Sequence, residues 1–264
     1  MHIFVVALTG LSLSLLMMLA WMVQQRTGNS GWVDTIWTYS VGLVGMTAAL
    51  WPFEGGLPTR QALVAALVML WSARLGTHIA LRALGGGDDP RYASYAREWG
   101  AAAARRMFAF LQAQALAAVP LVFAVFLAAH APQATLRLQD DIGAVIALVA
   151  IALEAVADAQ LRSFKADPAH AGLVCDVGLW RWSRHPNYFF EWLGWFAYPV
   201  IALSPSYPWG WASLAAPVLM YWLLVHVSGI PPLEAQMLRS RGERYLAYQA
   251  KTSPFFPLPP QSPS

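Results

Sequence analysis

The sequence predicts an all-α, polytopic membrane protein with seven transmembrane helices, its N-terminus outside and its C-terminus cytoplasmic. Composition, segment length and charge placement predict it. Of 264 residues, 58% are hydrophobic and only 12% charged, about half the charge of a soluble domain. Mean hydropathy is +0.46. The apolar residues gather in seven runs, roughly 3–24, 33–52, 61–81, 107–130, 142–161, 187–204 and 208–229. Each is long enough to carry a helix across about 30 Å of hydrocarbon. On that topology 14 Lys and Arg residues fall inside, Arg60 and Arg137 fall outside, and Arg74 lies within a span. This is the positive-inside pattern, and an even number of spans would scramble it.

Each element follows from local features. The first run lacks a basic start and is too long for a signal peptide, so it reads as a span. The runs are rich in Ala and Leu and do not alternate, which argues against a β-barrel. Trp32, Trp51, Trp180, Trp209 and Trp211 fall near segment ends, where interfacial rings sit. The long connections, 82–106, 162–186 and the tail from 231, all face inward, so function is expected at the cytoplasm. Gly85, Gly86 and Gly87 read as a flexible linker, and the Pro-rich end reads as a disordered or extended tail. The net charge of +3 follows the topology and is no sign of nucleic-acid binding. Cys175 is the sole cysteine, so no intrachain disulfide forms; the six histidines are scattered and no metal site is expected.

A charge at the centre of a span costs about 2.5–3.5 kcal/mol on insertion scales. Seven such candidates stand out: Asp34, Arg74, His78, Glu154, Asp158, Glu191 and His226. Arg74, His78 and Arg82 form one helical stripe, Glu154, Asp158 and Arg162 a second, and Asn187 with Glu191 a third. A shared polar cavity open to the cytoplasm would explain all three; interhelical pairing, for example Arg74 with Glu154, is the plainer alternative. In "GLWRWSRHPNYFFEW" (178–192), Pro186 suits the first turn of a helix, and Arg181, Arg184 and His185 crowd its N-terminus. Free N–H groups, the positive dipole end and guanidinium forks together make an anion site. Asn187 and Glu191 then face a polar ring behind it. A phosphate-bearing cofactor fits, whereas a patch touching lipid headgroups would leave Asn187 and Glu191 unexplained. Asp34 also reads as a helix cap near the start of the second span.

That segment, with "EAVADAQLRSFK" (154–165) before it and "GERYLAYQAKTSPFF" (242–256) after it, resembles the steroid 5-alpha-reductase-like membrane proteins, closest to their bacterial branch. "WVDTIW" (32–37) and "GGGDDPRYASYAREWG" (85–100) resemble it too. The resemblance implies a single seven-helix membrane domain. Residues 1–130 would be substrate-facing helices, 131–253 the cofactor-binding half, and 254–264 the Pro-rich tail. It further implies NADPH as hydride donor and reduction of a carbon–carbon double bond conjugated to a ketone.

On this resemblance Asp158 and Arg162 hold the adenosine side, Asn187 and Glu191 lie near the nicotinamide, and Asp34 faces the substrate ketone. Arg91, Lys165, Arg181, Arg184, His185, Tyr188, Glu234 and Tyr245 complete the cofactor set; Asp34, His78 and Glu191 are the catalytic candidates. The sequence departs from the family at two points. The proton-donating tyrosine falls at Trp71, leaving His78, Tyr39 and Tyr92 as possible donors, and a tail histidine falls at Glu234.

"SRHPNY" and the spacing of Glu234, Gly242, Tyr245 and Tyr248 also resemble isoprenylcysteine and phospholipid methyltransferases, which use S-adenosylmethionine. The basic residues Arg91, Arg162, Lys165, Arg181 and Arg184 favour the more anionic NADPH. The expected partners are a lipid-like substrate and membrane lipids, and the expected location is a bacterial inner membrane with the site open to the cytoplasm. A non-enzymatic membrane role is the remaining alternative.

Overall fold

The computed structural model describes residues 2–52, 56–86 and 89–261, and regular structure among them is helical throughout. The helices are α1 (His2–Thr27), α2 (Gly31–Ala49), α3 (Pro58–Gly86), α4 (Pro90–Trp99), α5 (Ala103–Ala129) and α6 (Leu138–Ala166). They continue with α7 (Pro186–Gly194), α8 (Ala197–Ala202), α9 (Ala215–Trp222), α10 (Ile230–Arg241) and α11 (Glu243–Lys251). Among the described residues, five stretches are long and apolar enough to cross a membrane: His2–Thr27, Pro58–Gly85, Arg91–Ala129, Leu138–Ala166 and Pro208–Arg241. The chain thus has the character of a multi-pass helical membrane protein. Of the expected glycine linker, Gly85 and Gly86 close α3, and Gly87 lies outside the described residues.

The run at 33–52 is a helix of 19 residues, α2, diluted in apolarity by its Trp, Thr, Tyr and Asp side chains. The run at 187–204 is two short helices rather than one. The N–H groups of Trp195 and Phe196 bond three residues back, to Trp192 O and Leu193 O, which tightens the chain out of α-geometry. Pro199 then has no N–H to continue an α-helical ladder. The run at 208–229 is also irregular: a 3₁₀ turn (Pro208–Leu214), α9, and a π-turn over Leu223–Val227.

The chain divides into two compact units, Met1–Ala144 with Ala197–Ala216, and Val145–Phe196 with Pro217–Ser264.

In the first unit α5 is central and touches α1, α2, α3, α4 and α8. α1 buries a single stripe, Val5, Thr9, Leu13, Met17 and Ala20, at three- and four-residue spacing. Its other faces expose Ile3, Phe4, Leu11 and Leu15, so it is apolar all round, as a helix in hydrocarbon is. α2 and α3 approach closely through small residues. A Cβ on Gly42 would stand 2.1 Å from Ser72 Oγ, and one on Gly76 would stand 2.8 Å from the Tyr39 ring.

A buried ion pair closes one end of this unit. Arg60 is fully buried, as is Asp140. Arg60 Nε donates to Asp140 Oδ1 at 2.7 Å, and its terminal nitrogens donate to Asp140 Oδ2 and to the carbonyls of Ala131, Gln133 and Thr135. Asp140 also accepts from the Arg137 N–H at 2.7 Å. The α5–α6 turn is thereby tied to the start of α3.

In the second unit the segment before α7 lies along α6. Trp180 Nε1 donates to Ala157 O, and Gln160 Oε1 accepts from Leu179 N. Gly178 has φ +58 and a Cβ there would stand 2.6 Å from the Gln160 side chain, so only glycine suits it. The described tail, 252–261, bends back on itself, with Gln261 N donating to Lys251 O, and is tied down. Arg184 N donates to Ser253 O, Leu258 N to Trp182 O, and Ser183 Oγ to Phe255 O. Phe255 and Phe256 pack edge-on against Phe189 and Trp192. Apolar rings among the prolines give this tail a reason to order.

Arg60→Ala leaves buried Asp140 with only the more distant Arg137 guanidinium, at 3.5 Å, and three carbonyls without their donor. The expected loss is about 3–5 kcal/mol, read as a lowered unfolding midpoint of the purified protein in detergent; a change under 1 kcal/mol would refute the clamp.

Candidate functional site

Two polar networks hold most of the candidate residues, one in each unit. In the second unit α6 carries Glu154 and Asp158, 4% and 5% exposed, with Arg162 and Lys165 at the surface one and two turns on. α7 begins at Pro186, so Asn187 and Glu191 stand on one helical face. Asn187 Nδ2 donates to Asp158 Oδ1 at 3.2 Å, which brings these two stripes together. Glu191 is buried and accepts from Trp195 Nε1 at 3.0 Å. Asn187 keeps its amide oxygen as a further acceptor.

The expected anion rim is arranged differently. Arg181 is exposed at the end of a 3₁₀ turn, but Arg184 is turned inward. Its Nε and NH2 donate to the two oxygens of Glu234 at 2.7 and 3.3 Å, and NH1 donates to Thr252 O and Gln249 O. Four hydrogen bonds and a neutralising carboxylate leave it a structural clasp, not a phosphate ligand. Gln249 Nε2 holds the same carboxylate at 2.8 Å.

His185, 2% exposed, sets Nε2 3.0 Å from Glu234 Oε1. Glu234, where the resemblance implies a tail histidine, thus has an imidazole supplied from another part of the chain. The Tyr188 ring lies nearly parallel to His185, 5.6 Å between centroids. Tyr245 is buried, and burial, with Glu234 nearby, pushes its phenol above the usual value. Burial pushes the His185 imidazole below its usual value, and the pull of Glu234 in the other direction does not overcome it.

In the first unit Asp34 is no helix cap. Its Oδ1 accepts from Tyr92 OH at 2.6 Å and its Oδ2 from Arg91. Arg91 also donates through Nε to Asp89 Oδ1 at 3.1 Å; though burial opposes it, this guanidinium holds the Asp89 carboxyl below its usual value. Gln114 Nε2 donates to Tyr92 OH at 3.1 Å. Arg91 is therefore occupied by carboxylates, and the Tyr92 hydroxyl donates its proton to Asp34. Tyr39 OH pairs with Thr77 Oγ1, His78 is half-buried on α3, and Trp71 is buried.

Gln114 and Gln249 were missed from sequence. The one signal for Gln114 is an amide within an apolar run; Gln249 sits among ordinary polar residues of an amphipathic helix and has none.

A family model described as a protein of unknown function (DUF1295) matches residues 20–252, and the chain belongs to that family. No curated protein matches the chain, and no solved structure does.

The His185 shift has a pH consequence. Between its lowered folded value and the unfolded value of 6.5, the unfolded chain binds a proton that the folded chain refuses. Stability is therefore fully present above that window and falls as pH drops through it, by at most ~1.4 kcal/mol per pH unit. Thermal unfolding from pH 8 to 5 is expected to show this slope in the wild type and a flatter one in His185→Asn; identical slopes would show that another group controls it.

Proposed function

We propose that this DUF1295 protein is an NADPH-dependent membrane reductase of a carbon–carbon double bond conjugated to a ketone, in a steroid-like or other lipid substrate. The observation that carries the reading is the Asn187–Asp158 hydrogen bond, which joins an amide and a buried carboxylate on adjacent helices, with Glu191 buried one turn on. Such a wall suits the carboxamide and ribose hydroxyls of a nicotinamide nucleotide. Exposed Arg162, Lys165 and Arg181 suit its phosphates. NADPH, when bound, supplies the hydride. Asn187 and Glu191 orient the nicotinamide end, and Asp158 with Arg162 holds the adenosine end.

In the membrane, we place seven spans with the N-terminus outside and the C-terminus in the cytoplasm of a bacterial cell, and a site opening to the cytoplasm. The 14-to-2 split of positive charge supports this. The clamp supports it further, because Arg60, one of the two exceptions, is a neutralised, fully buried group rather than a loose loop charge.

A second reading, an S-adenosylmethionine-dependent methyltransferase, is favoured by one observation. With Arg184 neutralised by Glu234, the buried charge near α6 and α7 is mainly carboxylate, which a sulfonium tolerates better than a pyrophosphate.

Calorimetry on the detergent-purified protein separates them. Saturable NADPH binding is expected, with at least a tenfold loss in Glu191→Ala and Asn187→Ala. Binding of S-adenosylmethionine alone moves the assignment to methyl transfer, and binding of neither removes the enzyme reading.

A further inference from the structure

His185 is 2% exposed, and only one of its ring nitrogens is accounted for. Nε2 meets Glu234 Oε1 at 3.0 Å, while Nδ1 is buried without a hydrogen-bond partner among the described residues. The arrangement around the ring is built. Glu234 is fixed by Arg184 Nε at 2.7 Å, Arg184 NH2 at 3.3 Å and Gln249 Nε2 at 2.8 Å. The backbone of His185 is fixed as well: its N–H donates to Ser183 Oγ at 3.1 Å, and that hydroxyl donates to Phe255 O. Tyr188 lies parallel to the ring. Flipping the imidazole would put Cε1 where Nε2 now meets Glu234 and break that bond.

These contacts fix what Nδ1 can do. A carboxylate that already accepts from Arg184 and Gln249 draws the ring proton to Nε2, and burial favours the neutral ring. Nδ1 is then an acceptor with a free lone pair. Buried acceptors in folded proteins almost always find a donor. A phosphate arm is a poor candidate, since its oxygens are themselves acceptors and the Glu234 carboxylate behind the ring repels them. An O–H or N–H of a neutral group fits.

We propose that His185 Nδ1 accepts a hydrogen bond from an uncharged O–H or N–H group of the bound nicotinamide nucleotide, a ribose hydroxyl or the carboxamide, and not from its phosphates. This rests on the cofactor reading above. It assigns the imidazole at the start of α7 to recognition of a neutral polar group, where the basic sequence around it suggested an anion.

The test is nitrogen NMR of the full-length protein in detergent with ¹⁵N-labelled histidine. The His185 signals are assigned with His185→Asn or, should that variant not fold, by elimination using variants of the five other histidines. Without nucleotide the ring is expected as the Nε2–H tautomer with a free Nδ1. Adding NADPH should move the Nδ1 resonance to the hydrogen-bonded range and leave Nε2 protonated. The reduced 3-acetylpyridine analogue of NADPH keeps the riboses and lacks the carboxamide N–H. A shift that persists with it identifies a ribose hydroxyl as the donor, and a shift that disappears identifies the carboxamide.

Calorimetric binding of NADPH with an unmoved Nδ1 resonance overturns this inference and leaves the reductase reading intact. Conversion of the ring to imidazolium by NADPH or by pyrophosphate also overturns it, because the subsite would then be anionic in preference. Failure of NADPH to bind at all overturns both.

Discussion

A guanidinium taken out of water must find acceptors inside the chain, and that constraint organises both units. Burying an unpaired charge costs several kcal/mol even after relaxation. Arg60 meets the requirement by gathering Asp140 and three carbonyls of the α5–α6 turn. Arg184 meets it with Glu234 and two carbonyls from the end of α11 and the residue after it. In each case a short connection that could otherwise fray is fixed by one side chain. The same geometry removes these arginines from service as ligand-binding cations. A buried arginine with its acceptors in place is a bracket, and its charge is already balanced.

The chemistry available to the second unit follows from that balance. Once Arg184 is neutralised, α6, α7 and α10 present carboxylates, an amide and a neutral imidazole, while Arg162, Lys165 and Arg181 stand exposed at the surface. Hydroxyls and amides can be read by such a wall at short range, and phosphates can be held only at its exposed rim. A dinucleotide divides naturally along those lines, with sugar and ring inward and phosphates outward. The apolar rings around Trp192 and Phe255 add bulk and no charge, which keeps the polar face of α7 confined to Asn187 and Glu191.

Helical periodicity made part of this legible. All seven apolar runs are helical, because a run of about 20 apolar residues has few other ways to satisfy its backbone. The Asn187 and Asp158 meeting was foreshadowed by two four-residue stripes, each needing a partner in apolar surroundings. What periodicity does not carry is sequence-distant pairing. Glu234 is 50 residues from Arg184, and nothing local distinguishes an arginine that binds a phosphate from one that binds a carboxylate. The break between α7 and α8 was hidden for a related reason: apolarity is continuous through Gly194–Pro199, and hydropathy does not register a missing N–H. The pairing of Asp34 was hidden in the same way, because its partners, Arg91 and Tyr92, lie on α4, beyond the whole of α3.

The tail carries this argument one step further. By composition, a Pro-rich terminus with few polar groups has little reason to fold. Here Phe255 and Phe256 bury against α7, and the carbonyls of Ser253 and Phe255 accept from Arg184 N and Ser183 Oγ. Ser183 is the same residue whose hydroxyl accepts from the His185 N–H. The tail thus forms the back of the His185 subsite: it fixes the serine that fixes the histidine backbone, while Arg184 on the other side fixes the carboxylate that fixes the ring. Few freedoms remain to an imidazole held in this way. An arrangement that specifies one ring nitrogen so fully, and leaves the other without a partner, is better suited to reading a ligand than to holding helices together.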